Sequence, residues 1–112
     1  MRRTAATERV SVVDARDRSR FEVLVDGQIA GFAEYDRRPR VIAFVHTSID
    51  PRFEGLGLAS TLTRMALSAA RADGLAVMPF CPFVRGYIAS HREYVELVPT
   101  DLRAQFGLIA DV

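Results

Sequence analysis

The stretch that decides the fold is Ile49-Asp50-Pro51-Arg52-Phe53-Glu54-Gly55-Leu56-Gly57-Leu58-Ala59. It begins in a β-like segment, passes through two glycines and enters an amphipathic helical pattern. Glycines at the start of a helix let the backbone come close to a ligand. The unpaired N–H groups of the first helical turn, at the positive end of the helix dipole, can then hold phosphate oxygens. The sequence therefore predicts an anion-binding loop, with a plain tight turn into a helix as the alternative.

Two well-known glycine motifs do not fit this stretch. A dinucleotide-binding Gly-x-Gly-x-x-Gly would need a third glycine where Ser60 stands. A Walker loop would need Gly-Lys followed by Ser or Thr, and that sequence is absent. Neither nucleotide-binding fold is therefore predicted.

The wider string resembles the acetyl-CoA motif of the GNAT superfamily of N-acetyltransferases. That pattern reads apolar-x-Pro-x-aromatic-Arg/Gln-Gly-x-Gly-x-Gly/Ala, followed by a helix that carries a leucine. The matching residues here are Ile49, Pro51, Phe53, Gly55, Gly57, Ala59 and Leu62. Glu54 stands where the superfamily prefers Arg or Gln. A carboxylate about 4 Å from a pyrophosphate charge would cost a few kcal/mol at an effective dielectric constant near 20, so we expect Glu54 to point away from the phosphates.

Length and composition indicate a small catalytic or binding domain. The chain has 112 residues, 49% of them hydrophobic and 26% charged, which predicts a single domain over residues 1–112 with a flexible N-terminus at residues 1–8. A net charge of +1 argues against a dedicated nucleic-acid surface. One cysteine cannot form an internal disulfide, and no signal peptide or run of about 20 apolar residues is present. We therefore predict a cytoplasmic protein without a membrane partner.

The order of elements predicts an α+β (α/β) fold with a mainly antiparallel sheet. Asp26-Gly27 is a strong hairpin signal between two strand patterns. Strands are predicted at residues 9–14, 20–25, 28–35, 41–49 and 75–81. Helices are predicted at residues 56–72, from 84 to about 96 and, weakly, at 100–105. The glycine loop thus leads into a central helix, and a second helix follows the next strand.

The central helix is predicted to be amphipathic and to end before Gly74. Its buried face is predicted to carry Leu58, Leu62, Met65, Ala66 and Ala69. Its exposed face is predicted to carry Thr61, Arg64, Ser68 and Arg71.

This order of elements is similar to the GNAT core from its middle strands to its end, over most of residues 20–97. The pair of helices that typical GNAT enzymes insert between their first two strands is missing, so we expect a more open acceptor cleft. His46-Thr47 before the loop and Cys81-Pro82-Phe83 before Tyr87 resemble the small, single-domain GNAT-like subfamily of uncharacterised proteins.

The resemblance implies transfer of an acetyl group from acetyl-CoA, as co-substrate, to an amine of a small molecule or a protein. Such an enzyme must hold the thioester, deprotonate the ammonium, stabilise the oxyanion and protonate the leaving thiolate. The cofactor-binding residues that the resemblance implies are Thr47, Ser48, Ile49, Glu54, Gly55, Leu56, Gly57, Leu58 and Ala59.

Three side chains are candidate catalytic groups. Tyr87 lies where many GNAT relatives place the acid that protonates the thiolate; the alternative is a core tyrosine. His46 is the candidate general base because imidazole titrates near neutrality; the alternative is a histidine that orients a turn. Cys81 is a candidate nucleophile, although a buried cysteine that acts as a small hydrophobe is the commoner case.

Other chemistry finds less support in the sequence. His91 lies one helical turn after Tyr87 but is expected to be exposed, and it is not predicted to take part. Two histidines and one cysteine, widely spaced, lack a metal-ligand pattern, so no metal is predicted. Two alternatives to an enzyme remain. One is a CoA or acyl-CoA binding module without turnover, which Glu54 and the missing helices favour, and the other is a structural domain whose Gly-x-Gly is only a turn.

Overall fold

The structure, a computed structural model, describes residues 9–109 of the chain. The strands are β1 (Val10–Ala15), β2 (Arg20–Val25), β3 (Gln28–Arg37), β4 (Val41–Ile49) and β5 (Ala76–Pro79). The helices are α1 (Leu58–Ala72) and α2 (Pro82–Ser90). Short 3-10 helices lie at Arg16–Arg18, Pro51–Phe53, Arg92–Leu97 and Thr100–Leu102. The N-terminal segment predicted to be flexible, residues 1–8, lies outside the described residues.

The five strands form one sheet in the order β1-β2-β3-β4-β5. β1 to β4 pair antiparallel, and β5 pairs parallel with β4 through the crossover helix α1. The β2–β3 hairpin turns at Asp26 and Gly27, whose φ angles of 49° and 83° are those a two-residue hairpin loop requires. Only the 3-10 helix Arg16–Arg18 connects β1 to β2, so no pair of helices lies between them. The predicted α+β fold is confirmed.

The sheet has a helix-bearing face and an open face. The strand residues buried against the helices are Phe21, Val23, Val25, Ala33, Tyr35, Ile42 and Phe44. They form one hydrophobic cluster with residues of both helices, among them Leu62, Leu67, Val84 and Ile88. Because successive strand residues point to opposite faces, Arg20, Glu22, Phe32 and Glu34 lie on the other side of the sheet. We call that side the open face.

A β-bulge in β4 decides which side chains reach each face. Tyr35 pairs with Phe44 and Glu34 pairs with His46, so Val45 has no partner on β3. Phe44 is buried in the core, whereas His46 is exposed and its ring contacts Phe32 at 6.1 Å between centroids. The bulge therefore places His46 on the open face.

Both ends of α1 are set by glycines with left-handed backbone. Gly57 has a φ of 70° and is the N-cap, so α1 begins at Leu58 rather than at the predicted Leu56. Gly74, with a φ of 69°, follows the helix, and Leu75 donates its N–H to the carbonyl of Ala70 at 2.9 Å. The predicted end of this helix is confirmed.

The predicted buried face of α1 is wrong in one residue. Met65 is 41% exposed, while Thr63 and Leu67 are buried. The face that meets the sheet is rotated toward the row Thr63, Ala66, Leu67 and Ala70, which are three and four residues apart. The error arose because Met65 was assigned from its apolar side chain and its helical spacing, whereas the position of the sheet decides burial.

Three boundaries after α1 differ from the predictions. β5 ends at Pro79 because its pairing with β4 stops at Phe44, so the predicted strand 75–81 is too long. α2 ends at Ser90, since His91 has a non-helical φ of −128°, and a 3-10 helix replaces the rest of the helix predicted to about residue 96. The weak helix predicted at 100–105 is only the 3-10 helix Thr100–Leu102. In the described part of the chain, neither α-helix is long and apolar enough to cross a bilayer.

Candidate functional site

The glycine loop connects β4 to α1. It begins with Asp50, whose carboxylate accepts the backbone N–H of Arg52 at 2.9 Å and caps the 3-10 helix Pro51–Phe53. Gly55 and Gly57 follow with φ angles of 88° and 70°. Other residues are strained in this region, so the backbone itself requires glycine at both positions.

The loop presents unused hydrogen-bond donors. Within residues 9–109, the backbone N–H groups of residues 55–60 donate no hydrogen bond, and the first helical bond is Thr61 N–H to the Gly57 carbonyl at 3.2 Å. The loop borders a cleft of about 340 Å³, which we call the loop cleft. It is lined by Ile49, Phe53, Glu54, Gly55, Gly57, Leu58, Ala59, Ser60 and Phe83. Free N–H groups at the positive end of α1 suit an anion such as phosphate.

Most of the residues predicted to bind the cofactor line the loop cleft. Leu56 is the exception in the glycine loop, because it is exposed and is not part of the cleft wall. Glu54 is exposed in the wall and has no ion pair within residues 9–109. The nearby Arg52 is held by Asp50, with 2.9 Å between Nη2 and Oδ2, and these hydrogen bonds lower the pKa of Asp50. The loop must therefore attract an anion mainly through backbone N–H groups.

β4 and β5 diverge after their last paired residues, at the end of the pairing that is nearer to the glycine loop. The last pair joins Phe44 to Pro79, and the N–H of Cys81 then donates to the Phe44 carbonyl at 2.8 Å. β4 continues to Ile49, whereas the segment after β5 turns away into α2. We call the gap between β4 and this segment the fork. Past the last pair, the backbone groups on that edge of β4 have no β5 partner among the described residues. Such groups can bind an extended polar ligand.

The fork brings Thr47 and Cys81 together. The Thr47 hydroxyl lies 3.3 Å from the Cys81 sulfur, and either group can be the donor. Cys81 is buried, with 3% of its surface exposed, while Thr47 and Ser48 are half-buried. The thiol is thus positioned beside the predicted thioester-binding segment but is shielded from solvent.

Tyr87 lies on α2 beyond the loop cleft and is not part of the cleft wall. It lies one helical turn after Phe83 and so shares its face. On α1, Arg64 lies one turn after Ser60, which also lines the cleft. Burial, with a contribution from Tyr94, raises the pKa of Tyr87, and the Arg64 charge acts against this shift. Tyr87 is therefore a protonated phenol at neutral pH, on the side of α2 that faces α1.

His46 lies apart from the other two candidate catalytic residues. It is exposed on the open face, opposite Glu34 on β3, whereas Thr47 pairs with Ala33 of the helix-bearing face. Cys81 and Tyr87 also differ in direction, because six residues place them roughly 240° apart around α2. In the structure, Thr47 therefore contacts Cys81, and Tyr87 lies one turn after Phe83 on α2. His46 lies on the opposite side of β4 from Thr47.

The part of the chain that forms this arrangement matches a known protein family. The model of the GCN5-related N-acetyl-transferase family matches residues 20–97. The chain belongs to the GCN5-related N-acetyltransferase family. The resemblance predicted from the sequence is confirmed, and in this GCN5-related protein the matched residues include the glycine loop, the fork and Tyr87. Among functionally curated proteins, none matches the chain significantly.

Sequence reasoning missed part of the site of this GCN5-related protein. His91 is exposed as expected, but its ring stacks on Tyr87, with 3.9 Å between centroids and 11° between planes. Its Nδ1 also lies 2.9 Å from the Tyr87 carbonyl oxygen. Phe83, Tyr87 and His91 therefore form an aromatic row along α2. The spacing of four residues indicated in the sequence that Tyr87 and His91 share a face, and the same spacing extended back to Phe83 would have revealed the whole row.

The same family member shows no sign of a metal centre in the residues that the structure describes. No group of three or more His, Cys, Asp or Glu side chains there could hold a metal ion.

Proposed function

We propose that this GCN5-related family member transfers the acetyl group of acetyl-CoA to an amine of a small molecule or a protein. The observation that carries the proposal is the glycine loop, whose free N–H donors at residues 55–60 adjoin the end of β4 at the fork. Both features lie within the family match. A phosphate-binding loop next to an unpaired strand edge suits a long ligand with a pyrophosphate at one end and a thioester at the other.

Each end of the co-substrate has proposed binding groups. The N–H groups of Gly55, Gly57, Leu58 and Ala59 hold the pyrophosphate. The free backbone edge of Thr47, Ser48 and Ile49 holds the pantetheine arm and orients the thioester. Acetyl-CoA supplies an acyl carbon that is already activated by its bond to sulfur. The protein's task is to orient that carbon and to move protons.

The acceptor nitrogen must lose two protons in this reaction. His46 takes the first from the ammonium and releases it to solvent, which leaves a lone pair to form the C–N bond. As the C–S bond breaks, Tyr87 protonates the leaving sulfur and is reprotonated by the second proton of the nitrogen. The products are an amide, CoA with a free thiol and one released proton. The burial of Cys81 supports a role in shaping the fork rather than in receiving the acetyl group.

A CoA-binding module without turnover is the second candidate. It is supported by the placement of His46 and Tyr87 on opposite sides of β4, and by Glu54 in the wall of the loop cleft. Such a module would bind CoA and acetyl-CoA but would not release thiol in the presence of any amine.

The first experiment is calorimetric titration with CoA and acetyl-CoA, followed by a thiol-release assay with a panel of amines. Saturable binding with thiol release supports the acetyltransferase, and binding without release supports the module. No binding of either compound would exclude both. In Tyr87→Phe we expect turnover to fall at least about tenfold with CoA affinity unchanged.

The matched control for this variant is Tyr94→Phe, which removes a hydroxyl from the neighbouring tyrosine, 6.0 Å away between ring centroids. It should keep its turnover. Equal rates in Tyr87→Phe and the unmodified protein would remove Tyr87 from the mechanism.

We also propose a single domain with a cytoplasmic location. One continuous hydrophobic cluster supports the former. The unpaired thiol of Cys81 fits the reducing conditions of the cytoplasm.

A further inference from the structure

A second cleft lies on the open face, at the same end of the sheet as the glycine loop. It has a volume of about 350 Å³, and its wall includes Arg20, Phe32, Ser48 and Asp50. Ile49 lines both this open-face cleft and the loop cleft. The end of β4 is therefore the partition between two cavities on opposite faces of the sheet.

Arg20 is held rigidly at the wall of the open-face cleft. Its Nε donates to Oε2 of the buried Glu22 at 2.8 Å, and its guanidinium carbon lies 4.5 Å from the centroid of the Phe32 ring. Only 23% of the Arg20 side chain is exposed. Within residues 9–109, its two Nη groups donate no hydrogen bond. A fixed guanidinium with free Nη groups in a cleft suits a carboxylate, which it can bind through two N–H donors.

The groups that suit an ammonium lie outside the wall of the open-face cleft, in the cross-strand row that runs from Arg20 to Glu34 and His46. The Phe32 ring contacts His46 at 6.1 Å between centroids, and His46 pairs with Glu34 across β3 and β4. Glu34 offers a negative charge to an ammonium, and His46 offers a base. Glu34 also pairs with Arg20 across β2 and β3, but the Arg20 side chain leans toward Phe32 and Glu22. The open face thus has a cationic end at the cleft and a proton-accepting end at His46.

We propose that the open-face cleft binds the acceptor, and that the acceptor is a primary amine that also carries a carboxylate. This inference rests on the proposed function. Arg20 binds the carboxylate, the chain that links the two charges runs beside Phe32, and the ammonium lies at Glu34 and His46. The nitrogen loses its first proton to His46 on the open face and then reaches the acyl carbon through the fork, where no β5 residue closes the edge of β4 among the described residues, with the bond changes and proton transfers given above.

The test compares 6-aminohexanoate with its amide and with hexylamine. With acetyl-CoA saturating, the unmodified protein should show a kcat/KM for the amino acid at least tenfold above those of the two analogues that lack a carboxylate. In Arg20→Gln this preference should disappear, because the kcat/KM for the amino acid falls toward those of the two analogues without a carboxylate.

The matched control is Arg18→Gln. Arg18 also binds Glu22, with 2.9 Å from Nε to Oε2, but it is not part of the cleft wall. Both variants leave Glu22 with one arginine partner, so a loss caused by disturbing Glu22 would occur in both. Arg18→Gln should keep the preference for the amino acid. Equal loss in the two variants, or no preference in the unmodified protein, would overturn the proposal.

A binding measurement separates this inference from the proposed function. Calorimetric titration of the CoA-bound protein with 6-aminohexanoate should show binding that weakens at least tenfold in Arg20→Gln and is unchanged in Arg18→Gln. If 6-aminohexanoate binds in this Arg20-dependent way but no thiol is released from acetyl-CoA, the proposed turnover is contradicted and the proposed carboxylate site is supported. Thiol release with hexylamine and no Arg20-dependent binding of 6-aminohexanoate would keep the transferase and reject the site.

Discussion

Glu22 is a carboxylate that folding buries and two arginines neutralise. Its oxygens accept hydrogen bonds from Arg18 at 2.9 and 3.0 Å and from Arg20 at 2.8 Å. These bonds, the Arg18 bond most of all, lower the pKa of Glu22 below its usual value, against the opposing effect of burial. A lowered pKa in the folded state means that the ionised form stabilises the fold.

We expect Glu22→Gln to destabilise the protein by about 2 kcal/mol at pH 7, since it replaces charge-assisted hydrogen bonds to partly exposed arginines. The stabilisation by Glu22 is fully present above its unfolded pKa, near 4.3, and is lost as the pH falls through the lower folded value. The unfolding free energies of the two proteins, from urea titrations, should therefore converge below about pH 4. A difference that stays constant from pH 7 to pH 3 would contradict this assignment.

Glu54 opposes anion binding because it places a carboxylate in the wall of the loop cleft. Glu54→Arg should tighten CoA binding by about tenfold at low ionic strength, and the gain should shrink as salt screens the exposed charge. Calorimetry at two salt concentrations measures both effects. Asp101→Arg, with the same charge change in the 3-10 helix Thr100–Leu102, is the control and should leave the affinity unchanged. An equal gain in both variants would indicate a general charge effect.

Sequence patterns predicted which residues form the site better than they predicted the directions in which the side chains point. Gly55 and Gly57 were predictable because their role depends on the backbone alone. The face occupied by His46 was not, because it depends on one unpaired residue in β4. Similarly, Met65 was predicted as buried, yet the orientation of α1 on the sheet leaves it exposed.

The element that carries the proposed phosphate site is α1, and its two ends offer a matched pair of glycines. Gly57 and Gly74 have φ angles of 70° and 69°, and a Cβ at either position would meet no atom within 4 Å. Valine at either site should cost roughly 1–2 kcal/mol of stability, because a left-handed backbone strains any residue with a Cβ. Only Gly57 lies in the loop cleft.

Gly57→Val should therefore weaken CoA binding more than tenfold, since its side chain would occupy the space where the phosphate approaches. Gly74→Val should lose similar stability but keep its CoA affinity. Titration calorimetry together with thermal unfolding of both variants gives the two quantities. If both bind CoA equally well, the loop is only a turn into a helix.

The bounds of some strands and helices were predicted more accurately than those of others. β2 and β4 were predicted with the bounds that the structure shows, because each has a β-rich pattern and a turn at its ends. The helix predicted from residue 84 to about 96 was too long, because apolar periodicity continues through Tyr94 and Leu97 although His91 leaves helical geometry. A 3-10 helix can bury similar positions, so periodicity alone did not mark the break.

For the molecule as a whole, CoA binding should raise the unfolding temperature. The loop and the fork join β4, α1 and the start of α2, so a ligand bound there requires these elements to be folded together. At a CoA concentration 100 times its Kd, the stabilisation would be about 2.7 kcal/mol. For a chain of this size that is a shift on the order of 10 °C. Scanning calorimetry would measure it, and Gly57→Val should show at most about half of this shift at the same CoA concentration, given its predicted loss of affinity.

The fold class could be predicted for the whole molecule because the order of strands, loop and helices admits few arrangements. The two clefts on opposite sides of Ile49 could not be predicted from the sequence. They lie at the end of β4, past its last pair with β5, which only the three-dimensional arrangement reveals.

The unpaired Val45 makes the length of β4 as important as its composition. Deleting this one residue would remove the bulge but leave every later side chain on its present face, because the extra residue is the one that is lost. If β4 kept Val45 and paired with β3 without the bulge, every later side chain of the strand would turn over. The imidazole of His46 would then face the hydrophobic interior, and the Thr47 hydroxyl would leave the Cys81 thiol for solvent. In such a strand no atom of the proposed machinery would have been substituted, yet the acceptor and the co-substrate would each meet the groups intended for the other.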